Sequence, residues 1–340
     1  MNIIPKSKTA VVTGGAGFIG SHMVDRLLQE GFQVRVIDNL SSGWEKNLDH
    51  LSKVPELTCE WRNILTLKKK DALFKGVDFV FHFAGVGDIV PSVKHPMKYL
   101  KTNTMGTAYV CEAAYHAGVK KLVYAASSSC YGLAKTPTDE NHPMAPQYPY
   151  ALSKYLGEQL AFHWHHVYRL PVNAIRIFNA YGTRSRTTGA YGAVFGVFLK
   201  QKLANKPYTV VGDGQQKRDF VYVTDVVDAF WRAATTPITG EAFNVGAGHP
   251  QSVNTLVSLL GGPITYIPKR PGEPECTWAN IQKIQQQLDW SPTVSFEEGV
   301  KRIVDRIEDW QDAPLWDPNS IKKATKAWFT ALSHHGQEQK

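Results

Sequence analysis

Cysteine is scarce in this chain, and its spacing excludes more than its number does. The 340 residues hold four, Cys59, Cys111, Cys130 and Cys276, and no two form a C-x-x-C pair. That spacing suits neither a disulfide framework nor a zinc site, and fits a reduced compartment. Also missing is any run of about 18 uncharged apolar residues, the length a membrane-spanning helix requires. The opening MNIIPKSKTAVVTGG has no long apolar stretch or small-residue cleavage site, so a signal peptide is not expected and a cytoplasmic location is. Internal repeats and low-complexity tracts are absent. The formal charge of +8 is spread over scattered lysines and arginines, with only short groups at Lys68–Lys70 and Lys322–Lys323. This reads as a solvated basic surface, compatible with an anionic small substrate, and neither nucleic acid nor membrane is an expected partner.

What is present is an alternation of short β-rich runs and amphipathic helices. KTAVVTGG, FQVRVIDNL, VDFVFHFAG, KKLVYAAS and PVNAIRIFN read as strands; Ile19 to Glu30, Met97 to Ala117 and Tyr150 to Tyr168 read as helices. The pattern predicts an α/β fold, a doubly wound parallel sheet with ligands at the carboxyl ends of its strands. We expect residues 1–178 to form this unit, with a return segment near 223–243. Residues 179–310 would form a smaller α/β lobe, and 311–340 an appendage whose helix, 318–333, carries Ile321, Ala324, Trp328 and Leu332 on one stripe. Packing against its own subunit is the expected role of that stripe.

The segment TGGAGFIG sets Gly14, Gly17 and Gly20 between a strand and a helix. A tight turn, close backbone approach to a pyrophosphate and a free helix N-terminus together make a dinucleotide site. Asp38 ends the next strand at the spacing of a carboxylate that holds the adenosine ribose, which favours NAD over NADP because it would repel a 2′-phosphate. Tyr150 and Lys154, four apart at a helix start, share one face. A free phenol with a pKa near ~10 is a poor base at neutral pH; an adjacent ammonium and a positive nicotinamide ring are expected to lower it.

The order of glycine turn, acidic strand end, serine-rich strand end and Tyr-x-x-x-Lys resembles the extended short-chain dehydrogenase/reductase family, specifically its nucleotide-sugar epimerases and dehydratases. TGGAGFIG, DNLSSG, HFAG, the Asn of KTNTMGT, YAASSSCYG, PYALSK, RIFNAYG, GDGQQKRDFVYV and KRPGEP carry the likeness, from about Thr9 to about Asp309. The resemblance implies Tyr150 as base, Lys154 as its tuner and ribose ligand, and Ser127 as partner of the sugar hydroxyl. It implies NAD contacts at Gly14, Gly17, Phe18, Ile19, Gly20, Asp38, Asn39, Ser42, Gly43, Phe83, Ala84, Gly85, Asn103 and Lys154. Where the family has an acidic adenine contact this chain has Asn63, followed by Ile64. For the substrate it implies Ser128, Ser129, Asn179, Arg218, Arg270, Glu273 and Thr277, with Tyr181, Val211 and Tyr222 lining the nucleotide pocket. A guanidinium fork suits a diphosphate and stays charged.

Dehydratases and decarboxylases of the family carry acidic residues directly after the catalytic Ser/Thr. Ser128 and Ser129 stand there in this chain, and neither can act as a carboxylate acid. C4 epimerisation through a transient 4-keto sugar is the expected reaction. A 4-dehydrogenase or dehydratase of the same family and a non-catalytic nucleotide-binding protein remain as alternatives. Thr277 is small where a tyrosine would restrict the site to plain hexoses, so UDP-hexoses and UDP-N-acetylhexosamines are both expected substrates. The family likeness also implies a homodimer through the two long helices, with Leu156, Leu160 and Trp164 on their apolar faces. His163, His165 and His166 crowd one helix without an acidic partner, and no metal is expected.

Overall fold

The computed structural model describes residues 8–185 and 193–333. Residues 1–7 and 334–340, the outermost parts of the expected first unit and tail, lie outside the described residues, as do 186–192. Seven parallel strands form the centre: β1 (Thr9–Thr13), β2 (Gln33–Asp38), β3 (Leu57–Trp61), β4 (Phe79–His82), β5 (Lys121–Ser127), β6 (Val172–Ile177) and β7 (Glu241–Val245). Their order is β7-β6-β5-β4-β1-β2-β3, so β1 pairs with both β2 and β4 and the winding reverses between β1 and β4. This is the doubly wound parallel sheet expected from the alternation.

The composition of β5 shows why both faces are covered. Val123 and Ala125 join one core with Met23, Val34 and Phe230. Leu122, Tyr124 and Ala126 point the other way, into a core with Val110, Ala114 and Val172. A strand buried on both sides must be apolar at both phases of its two-residue period.

The principal helices of this unit are α1 (Phe18–Gln29), α2 (Gly106–Ala117), α3 (Pro149–Tyr168) and α4 (Val223–Thr235). The stretch expected as one helix from Met97 is helical but not uniform: Leu100–Met105 is π-helical. That widened turn holds Asn103, whose amide is fully turned inward. Its Oδ1 accepts the Val86 N–H at 2.7 Å, and its Nδ2 donates to Val86 O at 3.1 Å and Ser153 Oγ at 2.9 Å. Widened turns of this kind recur at functional sites.

A second core collects Phe195, Phe198, Tyr208, Leu256 and Ile303. The parallel pair Tyr208–Val211 and Ile264–Ile267 contributes Tyr208, Val210, Val211 and Ile267 to it. The last described element, α5 (Pro318–Leu332), starts at a capping box in which Asp317 and Ser320 exchange side-chain-to-backbone bonds, with Pro318 in the first turn.

Candidate active site

Two cavities open at the carboxyl ends of the strands. The larger follows the reversal point and is lined by Gly14, Gly17, Phe18, Ile19 and Gly20 from the first turn, then Asp38, Asn39 and Ser42 after β2. Asn63, Ile64, Phe83, Ala84 and Gly85 line it as well, with Tyr150 and Lys154. The glycine turn admits no side chain: a Cβ on Gly20 would stand 2.1 Å from Gly14 O, and Gly14 holds φ +73° against the Ala84 backbone. Gly17 caps α1 without any side-chain hydrogen bond, which leaves the first-turn N–H groups for an anion. Asp38 is anchored at the cavity edge by the N–H groups of Ala16 (3.0 Å) and Leu40 (2.8 Å). Burial raises its pKa, and those N–H bonds oppose the rise. A cradle with this donor set, this carboxylate and no room for Cβ atoms fits NAD.

Three residues implied by the family likeness stand differently. Asn103 is absent from the cavity lining and acts from behind it, tying the Val86 loop to α3. Gly43 backs Asp38 and Ala16, where a Cβ would come within 2.9 Å of the Asp38 carboxylate. Asn63 lines the cavity, but its Oδ1 already accepts the Leu65 N–H at 2.9 Å and caps a short turn. Arg62, unmarked in the sequence, also lines this cavity; it comes beside Asp38 only through the pairing of β2 with β3.

The second cavity is lined by Ser127, Ser128, Ser129, Tyr150, Asn179, Arg218, Glu273 and Thr277. Among the described residues Tyr150 is the only one lining both cavities. Its hydroxyl donates to Ser127 Oγ at 3.4 Å, and Ser127 Oγ lies 2.5 Å from Ser129 Oγ. The ring is stacked on Tyr148 (6.5 Å, 10°) and meets Tyr99 edge-on. Lys154, one turn along α3, is buried with its ammonium 4.5 Å from the Tyr124 ring centroid. Burial lowers the Lys154 pKa to about 8, with Cys130 and Glu158 opposing.

In the protein alone, burial pushes the Tyr150 pKa above its ordinary value, with the Ser127 hydroxyl opposing. The lowering expected from the sequence counts on the positive charge of an oxidised nicotinamide as well as on the lysine.

At the substrate end, Thr277 Oγ1 donates to Asn179 Oδ1 at 2.7 Å and accepts the Asp219 N–H at 3.2 Å. Asp219 in turn is fully buried and takes N–H bonds from Ala247, Gly248 and Ala279, fixing the segment that carries Thr277. Arg218 lines the cavity and Arg270 does not; Glu273 joins them, 2.9 Å from Arg270 Nε and 3.9 Å from Arg218 Nη2. Val211 lines an adjoining hollow with Arg218 and Glu273. Tyr181 and Tyr222 do not reach either cavity. They are buried in an aromatic core, Tyr181 stacked on Phe195 and edge-on to Tyr222, with Phe220 and Phe296 beside Tyr181. Tyr148, Phe178, Cys276 and Trp328 are cavity residues that the sequence argument missed. The YPY doublet carried a signal for Tyr148; Trp328, at a distance in sequence, carried none.

Histidines play a local role. His165 Nδ1 bonds Leu170 O at 2.9 Å at the end of α3, and no metal-ligating cluster occurs among the described residues. Nor is any described helix long and apolar enough to cross a membrane.

Comparison with known proteins agrees with this geometry. Residues 10–246 match the model of the NAD dependent epimerase/dehydratase family. The UDP-glucose 4-epimerase of Mycolicibacterium smegmatis is 35% identical over 305 residues, 87% of this chain and 97% of that protein. Among solved structures, UDP-glucuronic acid 4-epimerase from Bacillus cereus, in complex with UDP-glucuronic acid and NAD, superposes with a TM-score of 0.83 at 31% identity. That match covers 88% of this chain and 99% of the other. UDP-N-acetylglucosamine 4-epimerase from Methanobrevibacter ruminantium, in complex with UDP-N-acetylmuramic acid, gives the same TM-score, identity and coverage. A glycine turn built for a dinucleotide, Tyr150 between two cavities with a buried Lys154 one turn along, and these likenesses place the chain in the NAD-dependent epimerase/dehydratase family.

Proposed function

We propose that this NAD-dependent nucleotide-sugar epimerase inverts C4 of UDP-hexoses and UDP-N-acetylhexosamines, with Tyr150 as acid–base, Lys154 as its positioning cation and Ser127 as hydroxyl partner. The observation that carries the reading is the placement of Tyr150 alone between the two cavities. Bound NAD supplies a reversible hydride acceptor. Everything else falls to the chain's own side chains. Tyr150 Oη takes the proton from the sugar C4 hydroxyl and returns it after the ketone has turned over. Ser127, bonded to both Tyr150 and Ser129, holds that hydroxyl in line; such bonds tighten when substrate arrives. Ser128 and Ser129 cannot eliminate water across C5 and C6, so the 4-keto sugar has no exit but re-reduction.

Asn179, Arg218 and Arg270 are proposed to hold the diphosphate, with Glu273 as the internal anion that the two arginines exchange for it. Thr277 leaves room at the C2 substituent while its hydroxyl orients Asn179. A UDP-sugar is favoured because the similar enzymes named above act on or bind UDP-sugars. A homodimer is supported by exposed apolar side chains on the paired helices, among them Met105 and Tyr109 before and within α2 and Leu152 on α3; light scattering at twice the chain mass tests it. Four free cysteines, two of them buried, support a cytoplasmic setting.

The deciding experiment incubates the protein and NAD with UDP-, dTDP- and GDP-sugars and resolves products by NMR. C4 epimers of UDP-glucose or UDP-N-acetylglucosamine are expected. Turnover of UDP-galactose with none of UDP-N-acetylgalactosamine would defeat the wider substrate range.

A further inference from the structure

The helix α5 lies beyond the region that carries the family motifs, and the Bacillus cereus match takes in 99% of that enzyme but 88% of this chain. Its apolar stripe divides between two places. Ile321 enters the core of the second lobe, with Trp310 and Ala313 just before it. Trp328 and Leu332 instead form a small separate cluster with Val90, Val93 and Tyr148, which belong to the cofactor-side unit. The connection leading into α5 is docked too: Gln201 Nε2 donates to Trp316 O at 2.8 Å.

Trp328 makes three contacts that converge on the sugar end of the substrate cavity. Its ring lies 5.1 Å from that of Tyr148, and Tyr148 stacks on the catalytic Tyr150. Its Nε1 donates to Pro271 O at 2.9 Å, in the KRPGEP loop between Arg270 and Glu273. It packs on Val90, next to Ile89, a lining residue of the same cavity. Leu332 backs Gly272, where a Cβ would stand 3.4 Å from its Cδ1. The cofactor cavity receives none of these contacts; neither α5 nor residues 269–274 line it.

We propose that α5 is a built-in wall of the substrate cleft, in which Trp328 is a positioning residue that holds Tyr148 and the 271–274 loop at a fixed separation across the sugar and diphosphate. A wall made from both sides of the cleft has to be closed by something that touches both, and one rigid helix does so through a single indole. The proposal rests on the nucleotide-sugar reading of the cleft. It implies that sugar selectivity in this chain is set partly by a segment outside the family's shared motifs.

The test compares Trp328→Ala and Trp328→Phe with the native chain by calorimetric titration of NAD and of UDP-N-acetylglucosamine, alongside steady-state kinetics. Trp328→Ala raises the Kd and KM for the UDP-sugar tenfold or more, leaves NAD affinity within twofold and changes kcat by less than threefold. Trp328→Phe restores most of the loss, since it returns a ring against Tyr148 and lacks only the bond to Pro271. Should Trp328→Ala fold poorly, Trp328→Leu fills much of the volume without the ring and is measured in its place. Sugar affinity within twofold of native, or NAD and sugar affinities falling in parallel with the melting temperature, overturns the proposal. If the native chain binds NAD but no nucleotide sugar, the substrate reading falls, and the wall with it; native binding with an unaffected variant removes the wall alone.

Discussion

The two cavities are built by different means. The cofactor side is organised around backbone: a turn where Cβ atoms cannot stand, the uncapped start of α1, and the ends of adjacent parallel strands, to which Asp38, Tyr150 and Lys154 add side chains. The substrate side is mostly side chains, brought from β5, α3, the residues after β6, the segment around Arg218, the 270–277 loop and α5. A site organised around backbone tolerates little change and does one thing; a site of side chains from many segments can be retuned one residue at a time. That contrast explains how one family keeps a cofactor while changing sugars.

The sharpest break in the comparison is at the one residue common to both sides. Tyr150→Phe should lower kcat by about 10³-fold, within the range typical of lost acid–base catalysis, while NAD binding measured by titration stays native. Loss of NAD binding instead would make Tyr150 a cofactor-cavity residue only. Next in size is the backbone side. Gly20→Ala places a methyl 2.1 Å from Gly14 O, and should cost about 1–3 kcal/mol of stability by overpacking and abolish detectable NAD binding; thermal melts with and without NAD check both.

Lys154 gives a pH-dependent test of the buried ammonium beside the cofactor cavity. Its pKa is about 8 in the folded chain against 10.5 for the free side chain. Below pH 8 folded and unfolded chains both hold the proton, and the folded state bears the full cost of a buried ammonium. Between about pH 8 and 10.5 the folded chain has released a proton that the unfolded chain keeps, so stability rises with pH, by at most about 1.4 kcal/mol per unit. Melting curves of the NAD-free protein should show this rise, and Lys154→Met should remove it. The smallest effect belongs to the substrate side: Thr277→Tyr should lower kcat/KM for UDP-N-acetylgalactosamine by about 10–200-fold, the range a shape change in a pocket commands, and leave UDP-galactose within a few-fold. Equal losses on both sugars would mean that Thr277 acts through Asn179 alone.

Sequence alone made the backbone-built side readable, because a glycine turn between strand and helix has few uses and Asp38 follows at a fixed interval. The alternation of strands and helices made the parallel, doubly wound class of the sheet readable, while its strand order came from the structure. The side-chain-built part was readable where a family motif carried the residue, as with Ser127, Tyr150, Asn179, Arg218, Glu273 and Thr277. Tyr181 and Tyr222 look like pocket residues in sequence yet fill the core, since an aromatic near a strand end serves either purpose. Asn103 likewise faces inward to stabilise a widened helical turn. Trp328 could not be placed without tertiary structure, because its partners lie at Val90, Tyr148 and Pro271.

The central claim, hydride leaving C4 and returning to the opposite face while Tyr150 moves the proton, is tested most directly with UDP-galactose deuterated at C4. The account predicts UDP-glucose that retains the deuterium at C4, with no lasting rise in near-ultraviolet absorbance from reduced cofactor. Deuterium lost to solvent, or a stoichiometric build-up of reduced cofactor, would contradict it.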